Sequence, residues 1–302
     1  MTHYGDIDEI IGDYHKRYFG YGYKNVKYTV LNSNFNENIL LEEFEIKYPN
    51  NWSIKSGESI NAHFSTLDGI VLAVKTIEDY FINLGNNFSD LYLLKIEDLV
   101  IKAGNRLQED LSEIRVELKL IESEDSDFYF KGHAGNFSVR IKINRYKNNN
   151  VKSPTKMNDY IFEGFKHSKI NVSDVQISTH FNDVLAKYKI ENEMGNGIHH
   201  GISNVNTLSD ISILDGVIIT AELTEALLLK LNDVDRDKSK LLIMRNIHFH
   251  NLHTEVYKPE SLFHINVLQE KIIRSKNMRL MDCEASAYGF NLVYSIAQEL
   301  GE

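Results

Sequence analysis

A histidine lies just before a predicted helix, where an imidazole could take part in acid–base chemistry. His63 precedes Ser65 by two residues, and residues 65–78 have the capping signal and composition of a helix. Because imidazole titrates near neutral pH, His63 could act as a general base. The free amides of the first helical turn could polarise a carbonyl group. The alternative is a surface histidine that helps to cap the helix, and the sequence favours neither interpretation.

A serine followed three residues later by an aspartate occurs at the start of two predicted helices. The first pair is Ser65 and Asp68, and the second is Ser212 and Asp215. This spacing is typical of a capping box, in which the two side chains bind the free amides of the first turn. We therefore interpret these four residues as structural caps rather than as catalytic groups.

One position on these helices carries opposite charges in the two copies. Lys75 and Glu222 each lie ten residues after the N-cap serine, on helices that are otherwise apolar. A charged side chain on such a helix requires either a polar cavity or contact with solvent. The exchange of charge suggests that one of two equivalent pockets kept a role and the other changed. Simple exposure to solvent is the alternative.

A further candidate is the histidine pattern His-x-His-x-x-His at His248, His250 and His253. On a strand, the first two side chains would share a face, as metal ligands could. No nearby cysteine or strong acidic partner supports a site, so we predict no bound metal and no cofactor.

These candidates belong to a chain that repeats itself. Ser-x-Leu-Asp-Gly recurs 147 residues after its first occurrence, and residues 160–166 echo residues 18–24. The offset between copies changes by only a few residues, as small loop insertions would produce. A tandem duplication of a strands–helix–strands unit is the economical interpretation.

Each copy must cover the apolar face of several antiparallel strands, which are predicted from runs with a period of two. The repeated helix is apolar on most faces and is the only long one available, so a sheet curled around it would bury both. The predicted fold class is therefore α+β: two tandem hotdog units, a double hotdog, with antiparallel sheets wrapped around two long apolar helices. The first unit, with an N-terminal helix, spans 1–150, and the second spans 151–302. Two α+β domains of another type are the alternative.

Composition limits the class of partner and compartment. The chain has 302 residues with a formal net charge of −10, which argues against nucleic acid as the main partner. A single cysteine, Cys283, fits a reducing compartment. The first residues lack the apolar core of a signal peptide, and no apolar run reaches membrane-spanning length. We expect a cytoplasmic protein without a membrane span.

Several motifs of the first half resemble the avirulence protein D family. They are residues 5–13, 17–22, 48–53, 63–68, 103–104 and 108–111. The second half matches mainly through residues 164–166 and the second helix. The family is linked to syringolide-type acyl glycosides, in which a β-ketoacyl chain is joined to a pentulose such as xylulose. The chain is also similar to butenolide synthases, which make γ-butyrolactone signals from a β-ketoacyl thioester and a small hydroxyketone phosphate, and which are thought of as tandem hotdog proteins.

The resemblance implies an acyl-transfer enzyme of secondary metabolism that joins a β-ketoacyl thioester to a small sugar such as a pentulose. The acyl carrier would be acyl carrier protein or coenzyme A, and a homodimer is left open. His63 would deprotonate a sugar hydroxyl that attacks the thioester carbonyl. Two other classes remain: a hotdog dehydratase or thioesterase, in which His63 pairs with Glu222, and a non-catalytic protein that binds acyl ligands.

Further candidate residues follow from the same expected mechanism. Gly104 and Gln108 would help to hold the oxyanion, because Asp68 competes for the amides of the helix start. Glu109 or Asp110 would orient the base or the sugar, although both could equally be ordinary turn residues. The remaining candidates for substrate binding are Lys75 and, in a site on the second half, His199 and His200.

Overall fold

The computed structural model describes residues 1–86, 88–91, 93–124, 126–145, 162–192, 202, 211–252 and 261–300. The α-helices are α1 (Asp8–Ile11), α2 (Thr66–Asn83), α3 (Phe88–Leu91) and α4 (Ile213–Asn232). The strands are β1 (Thr2–Asp6), β2 (Lys27–Phe35), β3 (Ile39–Lys47), β4 (Ile54–Lys55), β5 (Glu58–Ser59), β6 (Leu94–Lys102), β7 (Ile114–Glu124), β8 (Asp127–Ala134), β9 (Phe137–Arg145), β10 (Ser168–Ser178), β11 (Asp183–Asn192), β12 (Leu242–Asn251), β13 (Leu262–Ile273), β14 (Met278–Ala287) and β15 (Phe290–Glu299).

Helix α2 begins where its side chains can satisfy the free amides of its first turn. The Ser65 Oγ atom accepts a hydrogen bond from the Asp68 amide at 3.1 Å, and Asp68 in turn accepts one from the Ser65 amide at 2.8 Å. The helix ends near Gly85, whose φ of 89° suits glycine. Most of its residues are buried, so α2 is enclosed rather than laid on a surface.

Helix α4 has the same kind of start. Ser212 Oγ accepts from the Asp215 amide at 3.0 Å, and the helix ends at Asp233 in the left-handed conformation. Close packing needs glycine near the start of both helices. A Cβ atom at Gly69 would lie 2.7 Å from the Phe137 ring, and one at Gly216 would lie 2.2 Å from the Phe290 ring.

Within the described residues, the strands form one large antiparallel sheet whose order is symmetric about its centre. The order is β1-β10-β11-β13-β14-β15-β12-β6-β9-β8-β7-β3-β2, with β4 and β5 as a separate small hairpin. The two central strands, β12 and β6, are each the first strand after the long helix of their half. Outward from β6 come β9, β8 and β7 and then β3 and β2, which precede α2. Outward from β12 come β15, β14 and β13 and then β11 and β10, which precede α4. Each side therefore repeats one plan, a sheet curled around a single helix, which is the hotdog arrangement. The N-terminal strand β1 pairs with β10, on the edge of the second half.

The two halves also meet through reciprocal contacts. Lys24 Nζ donates to the Ser168 carbonyl at 2.7 Å, and Lys166 Nζ donates to the Val26 carbonyl at 2.8 Å. Val26 lies two residues after Lys24, and Ser168 lies two residues after Lys166, so the two hydrogen bonds are equivalent in the two halves. These contacts fit a local two-fold relation between the halves.

No helix within the described part of the chain is both long and apolar enough to cross a membrane.

Candidate functional site

A cavity of about 140 Å³ lies between the start of α2 and the middle of α4, with walls from both halves of the chain. Its wall includes four of the candidates from the sequence: His63, Gly104, Gln108 and Glu222. They come from the loop before α2, from the segment after β6 and from α4. These residues are far apart along the chain, and the pairing of the two halves brings them together.

His63 is half-buried and oriented by two neighbours. Its Nδ1 atom lies 3.3 Å from the carbonyl oxygen of Asn61, and its ring meets the Trp52 ring edge-on with centroids 5.8 Å apart. A carbonyl oxygen can only accept, so this contact requires a proton on Nδ1. In the neutral ring, Nε2 then carries the lone pair and is the atom able to accept a proton.

Asp68 lies behind this part of the wall, in a cluster of hydroxyl groups. Its carboxylate accepts from Tyr28 Oη at 2.7 Å, from Ser65 Oγ at 2.6 Å and from Tyr48 Oη. Burial raises the pKa of Asp68, and the hydrogen bonds from Ser65, Tyr48 and Tyr28 oppose that shift. Asp68 therefore acts as a cap with additional partners, and it does not itself line the cavity.

Tyr18 joins this cluster to the cavity and was not singled out in the sequence. Its hydroxyl lies 3.1 Å from Ser65 Oγ and 3.4 Å from Tyr48 Oη, and both Tyr18 and Ser65 line the wall. Since Ser65 and Tyr48 direct their own protons to Asp68, the Tyr18 proton points to one of them. A lone pair of the Tyr18 oxygen is then left to accept from a ligand. The signals for Tyr18 in the sequence were its place in the repeated motif and its place in residues 17–22, one of the motifs that carry the family resemblance.

Glu222 is the buried carboxylate of the cavity. It pairs with Arg17, whose Nε atom lies 2.9 Å from Glu222 Oε1, and Arg17 also contacts Asp8 at 2.8 Å. Burial raises the pKa of Glu222 to about 7, although the Arg17 guanidinium opposes the shift. A group with this pKa can hold or release a proton near neutral pH. The sequence did not indicate Arg17 as its partner.

Gln108 and Gly104 form the part of the cavity wall that follows β6. Gln108 Oε1 accepts from the Asn136 amide at 2.9 Å, so its side-chain nitrogen is the end that can donate to a ligand. A Cβ atom at Gly104 would lie 2.8 Å from the Asn136 carbonyl oxygen, which explains why glycine is needed there.

The other candidates do not reach this cavity. Glu109 and Asp110 are exposed, and Asp110 Oδ1 accepts from the amide and the hydroxyl of Ser112, as in an ordinary turn. Lys75 pairs with Asp79 at 2.6 Å, one helical turn further along α2. His199 and His200 lie outside the described residues.

The strand histidines lie elsewhere, on the outer face of the sheet. Both His248 and His250 contact Asp98 Oδ2, at 2.6 Å and 3.4 Å. In the described ranges, no group of three or more suitable side chains is arranged to hold a metal ion. His253 is outside those ranges.

Comparison with solved structures gives distant likenesses over most of the chain. The TesB protein of Mycobacterium avium subspecies paratuberculosis has 6% identity and a TM-score of 0.45, covering 87% of this chain and 94% of that one. An acyl-CoA thioesterase II, TesB2, from Mycobacterium marinum has 8% identity and a TM-score of 0.43, covering 90% and 96%. The dehydratase domain of RzxB from Pseudomonas fluorescens has 10% identity and a TM-score of 0.41, covering 86% and 93%.

Comparison of sequences gives a firmer result. No curated protein matches this chain significantly. The family described as Pseudomonas avirulence D protein (AvrD), in contrast, matches residues 2–280, almost the whole length. The chain therefore belongs to the avirulence D protein family.

Proposed function

We propose that this protein is an acyltransferase of secondary metabolism, which moves a β-ketoacyl group from a thioester to a hydroxyl of a small sugar such as a pentulose. Membership of the avirulence D family supports the reaction class. The observation that carries the proposal is the position of His63: Nδ1 is held by Asn61, and Nε2 is free to accept a proton at a cavity shared by both halves. A shared, partly apolar cavity is the usual setting for a small-molecule site.

In the proposed step, His63 Nε2 takes the proton of the sugar hydroxyl as the hydroxyl oxygen attacks the thioester carbonyl. The tetrahedral intermediate collapses, the carbon–sulfur bond breaks, and the thiolate recovers the proton from the imidazolium. The Gln108 side-chain nitrogen is a donor for the oxyanion, and Tyr18 Oη accepts from a second hydroxyl of the sugar. Both roles use the hydrogen-bonding directions that their partners leave open.

The acyl chain would lie against the apolar part of the wall. That part contains Leu67, Phe137, Val217, Ile243 and Ile296. It comes from α2, β9, α4, β12 and β15, so the chain would be held between two hotdog units. We place these units at 1–150 and 151–302, as a tandem double hotdog around two long helices. Acyl carrier protein or coenzyme A would deliver the acyl group in the cytoplasm.

The experiment measures free thiol released from a β-ketoacyl thioester, with and without a pentulose. We expect release that depends on the sugar, and a His63→Ala variant that is slower by about 10²–10⁴-fold, the usual contribution of a general base. His133→Ala is the matched control, because His133 is exposed on β8 and is not part of the cavity wall. Equal rates for His63→Ala and the parent protein would overturn the assignment of His63. Binding of the thioester without any thiol release would indicate a binding protein instead.

A second candidate is a hotdog thioesterase or dehydratase, and one observation favours it. His63 and Glu222 line the same cavity, and Glu222 has a pKa of about 7. A histidine with a protonated carboxyl group could serve water attack on a thioester or loss of water from a β-hydroxyacyl chain. Thiol release that is independent of the sugar would support the first activity. Formation of an enoyl thioester from a β-hydroxyacyl thioester, lost in Glu222→Gln, would support the second.

A further inference from the structure

Positive side chains are concentrated at the cavity, although the chain as a whole has a net charge of −10. The wall contains five cationic side chains and two glutamates: Arg17, Lys55, Arg106, Arg236, Arg245, Glu222 and Glu225. Two ion pairs account for both glutamates. Arg17 lies 2.9 Å from Glu222, and Arg236 lies 3.1 Å from Glu225. Three cationic side chains therefore remain in excess at this cavity.

These three side chains are Lys55, Arg106 and Arg245, and two of them are half-buried. Burial lowers the pKa of Lys55, and nearby Arg236 lowers it further, despite opposing attraction from Glu225 and Asp237. Keeping Lys55 charged at this partly desolvated site costs free energy, and a bound anion would offset that cost.

Backbone contacts bring Arg245 and Arg106 to the same end of β6. The amide of Ala103, just after β6, donates to the Arg245 carbonyl at 2.8 Å. The Arg106 carbonyl, three residues further on, accepts from the Asn136 side chain at 2.7 Å. Arg245 lies at an irregularity of β12, between Met244 and Asn246. Bulges of this kind redirect a side chain and are common beside active sites.

The duplicated half shows that the fold does not require two of these charges, those of Arg245 and Lys55. The corresponding irregularity in β6 lies between Ile96 and Asp98 and holds Glu97, which pairs with Lys142 at 2.7 Å. Lys55 lies ten residues before the N-cap serine of α2, and the residue ten before the N-cap serine of α4 is Ile202. Ile202 is fully buried. The same framework therefore accepts a glutamate and an isoleucine at these positions.

We propose that Lys55, Arg106 and Arg245 form a phosphate-binding subsite at the cavity, which holds the phosphate ester of one substrate. Guanidinium and ammonium groups bind phosphate oxygens through charge-assisted hydrogen bonds. The identity of the substrate that carries the phosphate rests on the proposed function. With that function, the phosphate belongs either to a phosphorylated pentulose or to the phosphopantetheine arm of the thioester.

The first experiment titrates the intact 302-residue chain with inorganic phosphate and follows the fluorescence of Trp52. This residue is the only tryptophan in the chain, and it lines the cavity. We expect saturable binding that weakens with added salt. Lys55→Gln, Arg106→Gln and Arg245→Gln should each weaken it about tenfold or more, the scale of one charged hydrogen bond.

The matched control is Arg140→Gln, which makes the same change in charge at an exposed position of β9 outside the cavity. It should bind phosphate as the parent protein does. Arg106 is exposed, so Arg106→Gln should fold normally even if substitution of the half-buried residues impairs folding. The subsite would be overturned if Arg106→Gln and Arg245→Gln both fold and both bind phosphate as the parent protein does. It would also be overturned if Arg140→Gln weakens phosphate binding as much as they do.

The second experiment identifies the source of the phosphate. Xylulose is compared with xylulose 5-phosphate, and pantetheine with 4′-phosphopantetheine, by the same titration. In one pair the phosphorylated compound should bind at least tenfold more tightly, and Arg106→Gln should remove the gain. If phosphorylation changes neither affinity, the proposal is wrong. Acyl transfer without a phosphate preference would leave the proposed function intact, whereas phosphate binding without acyl transfer would leave only the subsite.

Discussion

The starts of the two long helices have the same local geometry but different surroundings. In both, the serine Oγ accepts from the aspartate amide, at 3.1 Å in α2 and 3.0 Å in α4. Around Asp68, Tyr28 donates a further hydrogen bond at 2.7 Å. Tyr28 lies four residues after Lys24, and the residue four after Lys166 is Ile170, which has no hydroxyl group. The cap is a local property of the repeat, whereas the Tyr28 hydroxyl that binds Asp68 has no counterpart at position 170.

The middles of the helices differ in the same way. Glu222 of α4 is buried against Arg17 from the N-terminal segment, whereas Lys75, at the same position of α2, pairs with Asp79 on its own helix. Only the first pair links distant parts of the chain at the cavity. The comparison shows that a duplicated fold can keep its framework while the charged groups at two equivalent positions take different partners.

Replacing Arg17 should have the largest effect on stability. Arg17→Met leaves the buried Glu222 without its cation, so we expect a loss of about 3–5 kcal/mol in the free energy of unfolding. Lys75→Met breaks the equivalent but less buried pair within one helix and should cost about 1 kcal/mol. Urea denaturation of both variants measures the difference. Equal losses would show that the two positions are energetically alike.

The pH dependence of stability isolates Glu222. Its pKa is about 7 when folded against an ordinary 4.5, so between these values the folded state holds a proton that the unfolded chain has lost. Its contribution is therefore fully present below about pH 4.5 and is lost as pH rises through 7, by at most roughly 3 kcal/mol. Glu222→Gln should lack this loss.

The measurement compares unfolding free energies of the parent and Glu222→Gln from pH 4.5 to pH 8. Glu42 is also buried, with its pKa raised to about 7, but it titrates in both proteins and cancels in the difference. Parallel curves for the two proteins would contradict the raised pKa of Glu222.

The comparison of caps is sharpened by changing each aspartate to asparagine. Asp68→Asn loses one carboxylate oxygen and leaves buried donors unpaired, so it should destabilise the protein by about 2–3 kcal/mol. Asp215→Asn should cost about 1 kcal/mol, the usual scale of a cap. Thermal unfolding at a fixed pH tests the order. A larger loss for Asp215→Asn would show that the polar cluster around Asp68 does not add to its cap.

The smallest effect concerns the glycines of the first turns. Alanine at Gly216 would bring Cβ to 2.2 Å from the Phe290 ring, against 2.7 Å from the Phe137 ring at Gly69. Overpacking costs about 1–3 kcal/mol, offset by about 1 kcal/mol of helix propensity. Gly216→Ala should therefore be the more destabilising change by about 1 kcal/mol. Calorimetric melting of both variants checks this order.

Much of the local structure was predictable from the sequence. The starts of α2 and α4 were predictable, because the cap spacing and the apolar pattern depend on neighbouring residues. Strand β8 (Asp127–Ala134) has a weaker signal in the sequence, because it follows an acidic segment and contains Gly132 and His133. The N-terminal segment was predicted as a helix, but only residues 8–11 are α-helical there, and β1 precedes them.

The sequence by itself determined the repeat, the two capped helices and the resemblance to the avirulence D family, because these depend on residue order and short-range spacing. It also singled out His63, from its place before α2. Only the tertiary structure decided that His63, Gln108 and Glu222 share a cavity while Glu109, Asp110 and Lys75 lie outside it. The pairing of Arg17 with Glu222 spans 205 residues. No local pattern can indicate such a contact, since it forms only when the two halves pack together.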